Sequence, residues 1–165
     1  MKILFAGGGT GGHFYPIIAV AEAVKEISAQ EHINDLQLFY MSDSPIDKTL
    51  LTEMGLTYIE VKTGKQRTYF SIQNFFDLFK IAGACIVATW KIFMIYPDIV
   101  FGKGGYASYP AMFAARLLRI PVVIHESDII PGRVNRAIGD YAAKIAVSYP
   151  EARSEERRVG KECRL

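Results

Sequence analysis

Three short segments hold the residues that could do chemistry. The first is Gly7-Gly8-Gly9-Thr10-Gly11-Gly12-His13. Glycines let the backbone approach a ligand closely and adopt positive φ. Backbone N–H groups at a helix start, together with the helix dipole, favour a phosphate. A tight strand-to-helix turn would use the same residues with no ligand at all. No Lys-Ser/Thr pair follows, so this is not a Walker loop. The next strand ends in Phe39-Tyr40-Met41 with Asp43 only nearby, so the ribose carboxylate of a dinucleotide site is missing.

The second segment is Gly102-Lys103-Gly104-Gly105-Tyr106, with Ser108 available to cap the helix that follows. Two such loops on one edge fit a diphosphate better than a single phosphate. The third is His125-Glu126-Ser127-Asp128, followed by Pro131-Gly132 and Asn135. A polar cluster where a strand ends is a site signature more than a packing one. His125 by itself reads equally as a structural histidine, and Glu126 could either orient it or bind hydroxyls. No third metal-type ligand lies at a convincing spacing, so no metal is expected.

The elements that must position these loops alternate. Apolar runs predict strands at Lys2–Ala6, Leu36–Met41, Leu56–Val61, Asp98–Phe101, Val122–His125 and Lys144–Ser148. Helical patterns fill the gaps: Pro16 to about Ala29, Pro45–Met54, Ser71–Ile95 (one helix, or two broken near Gly83), Ser108–Leu118 and Pro131–Tyr141. Alternating strands and helices mean βαβ units and a parallel sheet. The expected fold is α/β, a doubly wound, Rossmann-like parallel sheet. In the standard order, strands one and four flank the switch point, where ligands sit beyond the carboxyl ends of the strands.

Composition narrows the classes. The chain has 165 residues, half of them apolar, which suits one domain with a real core and excludes a disordered linker. Its net charge of +2 gives no bulk field for nucleic-acid binding by counterion release. Two distant cysteines exclude a disulfide scaffold. Cys85 lies in an apolar run and reads as a packed thiol. The start Met1-Lys2-Ile3-Leu4 is no signal peptide.

Gly8-Gly9-Thr10-Gly11-Gly12-His13 with Pro16, Gly102-Lys103-Gly104-Gly105-Tyr106, Pro121-Val122-Val123-Ile124-His125-Glu126 and Pro131-Gly132-Arg133-Val134-Asn135 together resemble the MurG family over roughly residues 1–150. The resemblance implies an inverting, metal-independent glycosyltransferase of the two-domain GT-B type. It would move N-acetylglucosamine from UDP-GlcNAc to lipid I, forming lipid II in peptidoglycan synthesis. Residues 1–152 would be the N-terminal acceptor-binding half, inactive without a C-terminal donor half. By the same resemblance, Gly9, Gly11, Gly12, Gly104, Gly105 and Tyr106 would hold the acceptor diphosphate. Thr10, Gly11 and Gly12 would also border the donor sugar, and His13 would assist deprotonation of the acceptor 4-hydroxyl. Asp128 stands where the family often has asparagine, and inherits contact with the donor sugar. His125, Glu126 and Asn135 would support the site. No cofactor is implied, UDP-GlcNAc being a substrate; nor is a nucleic-acid partner.

Two stretches stand apart. Arg153 to Cys163 back-translates into the adapter oligonucleotide common in short-read sequencing libraries, so Arg153–Leu165 is expected to be non-native. Without it the acidic and basic residues balance. The segment from Phe70 to Tyr96 is crowded with aromatics and preceded by Lys62, Lys65 and Arg67. Such a pattern suits a peripheral contact with an anionic membrane surface, with the Arg67–Phe79 part the expected exposed portion. The resemblance implies the cytoplasmic face of the bacterial cell membrane. Ile81–Tyr96 falls short of the ~18 apolar residues a membrane span requires. The rival reading is a non-catalytic, acceptor-binding subunit that recruits a separate catalytic chain. A dinucleotide-dependent enzyme comes third.

Overall fold

The computed structural model describes residues 1–8, 10–64 and 72–149, with side chains from 77 onward in the last stretch. Six strands form one sheet: β1 Lys2–Gly7, β2 Gln37–Ser42, β3 Leu56–Glu60, β4 Ile99–Gly104, β5 Val122–Glu126 and β6 Lys144–Val147. Their order is β3-β2-β1-β4-β5-β6, and every neighbouring pair is parallel. This is the doubly wound, Rossmann-like sheet the alternating pattern predicts, with β1 and β4 at the switch point.

Side-chain alternation along β1 explains the two cores. Ile3 and Phe5 point to one face, where Phe14, Ile17, Ile18 and Ala21 of helix α1 (Gly11–Gln30) cover them. Leu4 and Ala6 point to the other. There, helices α3 (Ile72–Ile95), α4 (Tyr109–Leu117) and α5 (Arg133–Gly139) contribute Ala88, Ile92, Ala111, Met112 and Ile138. Gly102 of β4 is tight here: a Cβ on it would lie 1.9 Å from Met112 Cε.

Several boundaries differ from the sequence reading, each for a local reason. Helix α1 starts five residues earlier than Pro16 and takes in Gly11, Gly12 and His13. Pro16 in the second turn forgoes the bond to the Gly12 carbonyl and sets its ring against it, near enough to the helix start for the helix to continue. Helix α2 (Lys48–Glu53) starts after Pro45, because the Asp47 carboxylate accepts from Leu50 N at 3.0 Å and caps it there. Helix α5 begins at Arg133 and not at Pro131, since Gly132 is extended, with ψ 156°, and stands as its N-cap.

Gly83 does not break α3. A helical glycine costs about 1 kcal/mol against alanine, less than the roughly 1.5–3 kcal/mol from burying Ile92 alone. Ser108 occupies the N-cap position of α4 as expected, but its side chain makes no capping bond. A 3-10 turn, Tyr106–Ser108, intervenes before α4, and the Ser108 hydroxyl donates to the Gly105 carbonyl at 2.9 Å.

Helix α3 also corrects the expectation about length. Asp77–Ile95 is long and apolar enough to cross a membrane by length and composition. Yet Ala84, Cys85, Ala88 and Ile92 are buried in the domain core, as a sheet-covering helix requires. Cys85 is a packed free thiol, and burial pushes it up.

Candidate functional site

The site forms where β1, β4 and β5 end side by side. At the end of β1, Gly8 lies close to its neighbour across the sheet: a Cβ there would come within 3.0 Å of Ser42 Cβ. Thr10 is extended and its carbonyl accepts from His13 N and Phe14 N, while its side chain does not cap. The N–H groups of Gly11 and Gly12 therefore open the helix toward the strand ends, the arrangement that suits an anion. Gly9, one of the expected diphosphate glycines, lies outside the described residues.

The second loop is built by a β-bulge. Ala6 pairs with Gly102, but Gly7 pairs with Gly104, so Lys103 is the extra residue in β4. A bulge bends a strand and re-aims the side chains after it. Gly104 and Gly105 follow with φ of 92° and 81°. Both are also tightly faced. A Cβ on Gly104 would meet Asn135 Oδ1 at 3.0 Å, and one on Gly105 would meet Gly8 O and His13 Cδ2, each at 3.0 Å. The two glycine loops are thus in direct contact, and His13 lies against the second. Tyr106 donates its hydroxyl to Asp43 Oδ2 at 2.7 Å, which ties the second loop to the end of β2. Burial comes first and the bond to Asp43 second in raising that phenol well above its ordinary value.

In the third loop, Glu126 is buried and both its carboxylate oxygens are bonded. Its Oε1 accepts from Asp128 N at 3.0 Å; its Oε2 accepts from Gly132 N and from Asn135 Nδ2, both at 2.9 Å. Burial raises the carboxyl, but these three donors and the nearby Lys103 outweigh it and hold the group below its ordinary value. Glu126 therefore organises the loop from within. Asn135 Nδ2 also reaches the His125 carbonyl at 3.3 Å, so it straps the turn from behind. His125 Nε2 meets Ser148 Oγ at 3.1 Å. Asp128 has its amide pinned and its side chain exposed beyond the loop.

His13 is half-buried beside these groups. Desolvation lowers its pKa, the Lys103 ammonium lowers it further, and Asp128, Glu126 and the Lys103 backbone push it partly back up. The imidazole is accordingly neutral near pH 7 and able to accept a proton. His125 is lowered for the same first two reasons.

Three residues named in the sequence without a role take part in the site: Lys103, Ser127 and Asp43. The Lys103 side chain is 2% exposed, and its ammonium donates to Ser127 Oγ at 2.8 Å. A lysine between glycines at the end of an apolar strand was a visible signal. The bulge that turns it inward was not.

A second surface lies on the far side of α3. Ile86, Trp90, Phe93 and Met94 are exposed, and an apolar groove of about 740 Å3 runs between α3 and α4. Leu78 and Phe79 are exposed as well, but residues 67–76 of the stretch expected to face outward lie outside the described side chains. The exposed apolar surface seen here extends along the C-terminal half of α3. Lys91 does not flank it as a free cation, since its ammonium donates to the Glu60 carbonyl at 2.7 Å.

Comparison with known proteins bears on the family. The model of the glycosyltransferase family 28 N-terminal domain matches residues 3–147. A curated relative from Lachnospira eligens, named UDP-N-acetylglucosamine--N-acetylmuramyl-(pentapeptide) pyrophosphoryl-undecaprenol N-acetylglucosamine transferase, is 40% identical over 151 residues. That alignment spans 91% of this chain and 41% of the relative. A protein of the same name from Clostridium botulinum (strain Hall) is 36% identical over 152 residues, spanning 92% of this chain and 41% of its own length. Among solved structures, Acinetobacter baumannii MurG superposes with a TM-score of 0.75 at 27% identity, covering 91% of this chain and 42% of that one. A putative UDP-N-acetylglucosamine 2-epimerase from Listeria monocytogenes shares the fold alone, at 14% identity and a TM-score of 0.64. The chain spans about two-fifths of the length of these relatives.

Proposed function

Because the chain belongs to the glycosyltransferase family 28 N-terminal domains, we propose that it is the acceptor-binding half, residues 1–152, of a transferase that moves N-acetylglucosamine from UDP-GlcNAc to lipid I. The observation that carries this reading is the contact of two glycine loops at the switch point, with His13 set against Gly105. Gly11, Gly12, Gly104, Gly105 and Tyr106 hold the acceptor diphosphate, together with Gly9. Thr10 and Asp128 face the donor sugar. The acceptor 4-hydroxyl attacks the anomeric carbon as the bond from that carbon to UDP breaks, and its proton passes to His13. A neutral imidazole is the form that can take it. UDP-GlcNAc enters as substrate, and no cofactor is called for.

We further propose that the exposed apolar surface of α3 and α4 rests on the cytoplasmic face of the cell membrane, where a lipid-linked acceptor resides. Large exposed apolar patches mark interaction surfaces. A second reading, a recruiting subunit anchored through α3, gains from the length of that helix. It loses more from the core contacts of Ala84, Ala88 and Ile92, which leaving the domain would strip away.

Titration of the chain with a soluble lipid I analogue and, separately, with NAD tests the assignment. Saturable binding of the analogue supports it. Binding of NAD without the analogue refutes it.

A further inference from the structure

Lys103 is the buried charge that the proposed transfer does not use. A buried ammonium is costly unless its protons find acceptors. Here it makes one hydrogen bond, to Ser127 Oγ at 2.8 Å. Among the described residues no carboxylate oxygen lies within the 4.0 Å of an ion pair with it. Its location is set by the bulge, which makes Lys103 the surplus residue of β4. Its Cβ lies 3.6 Å from the position a Cβ on Gly7 would occupy, and the His13 carbonyl lies 3.7 Å from that same position. Lys103 and the first turn of α1 therefore flank one point at the end of β1, and the Lys103 ammonium reaches from there to β5's loop.

We propose that Lys103 is a positioning residue: it clamps the His125–Asp128 loop, through Ser127, to the strand ends beneath His13. The clamp joins all three loops. Gly104 and Gly105, directly after Lys103, already touch Asn135 and His13. Ser127 lies between Glu126, which gathers Asp128 N and Gly132 N, and Asp128 itself. One side chain thus fixes the distance between the loop that presents Asp128 and the helix start that presents His13. It also places a positive charge among the groups that face it: His13 from α1, His125 and Glu126 from β5, and Asp128 from the loop. That the clamp serves sugar transfer rests on the reading above; the clamp itself does not.

The test compares the unaltered chain with Lys103→Met and Ser127→Ala by amide hydrogen exchange and by NMR titration of the histidines. Cutting the clamp speeds exchange of the Asp128 and Gly132 amides about tenfold in both variants. Lys103→Met also removes the charge, so the His13 midpoint rises by about 0.5–1 pH unit. Ser127→Ala keeps the charge and moves that midpoint less. A merely structural lysine would not separate the two variants in this way. Exchange within twofold of the unaltered chain in Lys103→Met, with an unmoved His13 midpoint, overturns the proposal. If Lys103→Met fails to fold, unchanged exchange in Ser127→Ala overturns it alone. Failure of the unaltered chain to bind the soluble lipid I analogue would refute the transferase reading and leave the clamp standing.

Discussion

Gly105→Ala probes the contact between the glycine loops most directly. Gly105 adopts φ 81° and ψ 156°, a region that residues with a Cβ essentially do not enter. Forcing alanine there costs of order 1–3 kcal/mol in backbone strain. Space adds to this. The new Cβ would lie 3.0 Å from the Gly8 carbonyl oxygen, which is backbone and held by the sheet, and 3.0 Å from His13 Cδ2. Relief by turning His13 away would move the residue proposed to take the proton. The expected loss of stability is therefore at least about 2 kcal/mol. For a domain of this size that is a fall in Tm of roughly 4–8 °C. Gly12→Ala is the control. Its nearest neighbour is Thr10 Oγ1 at 3.8 Å and its φ is not positive, so alanine should be neutral or stabilise the helix by up to about 1 kcal/mol. Urea unfolding of the three chains, with equal m values, measures the differences. A Gly105→Ala midpoint equal to that of the unaltered chain would refute the reasoning.

Further outcomes follow from the buried polar groups and from α3. Glu126→Gln keeps one acceptor oxygen for Gly132 N and Asn135 Nδ2 but turns an NH2 toward the donor Asp128 N, and should cost about 2–3 kcal/mol at pH 7. Because the folded carboxyl is held below its unfolded value, its contribution is complete above about pH 4.3 and is lost as pH falls through the folded pKa. Urea midpoints of the two chains should therefore converge in acid; a constant gap would count against the carboxylate. His13 and His125 should titrate below 6.5 in NMR, and stability should fall as pH drops beneath 6.5, where the unfolded chain binds protons the folded one refuses. Trp90→Ser, at a side chain 66% exposed, should leave thermal stability within about 0.5 kcal/mol while weakening sedimentation with anionic phospholipid vesicles several-fold. Equal sedimentation of both chains would remove this face from membrane contact.

The sheet was legible because its strands are short apolar runs that stop at glycine, as at Gly7 and Gly102, or at the polar His125-Glu126 pair. Strand order followed from connection rules. The loops named as candidate sites do converge, since a doubly wound order brings the ends of β1 and β4 together wherever their loops begin. Local competition among polar groups was less readable. The Asp47 cap shortened α2, and the extended backbone of Gly132 delayed α5. Ser108 looked like a cap, yet its hydroxyl turned back to Gly105. The bulge at Lys103 left no pattern in hydrophobicity, because both its neighbours are glycines. Pro16 marked a helix start by convention, and the glycines before it hid the true one.

The surplus residue in β4 gives the switch point its bend. A bulge sets two residues against one and turns the strand after it. Deleting Lys103 would leave Gly102 opposite Ala6 and Gly104 opposite Gly7, and the hydrogen-bonded ladder would gain by it. The same deletion would straighten the strand end and remove the re-aiming that sets Gly105 against His13 and Tyr106 against Asp43. Sheet regularity and the meeting of the loops thus demand opposite lengths of this strand. A family of chains built on this arrangement should tolerate exchanges at position 103 more readily than a change in its length.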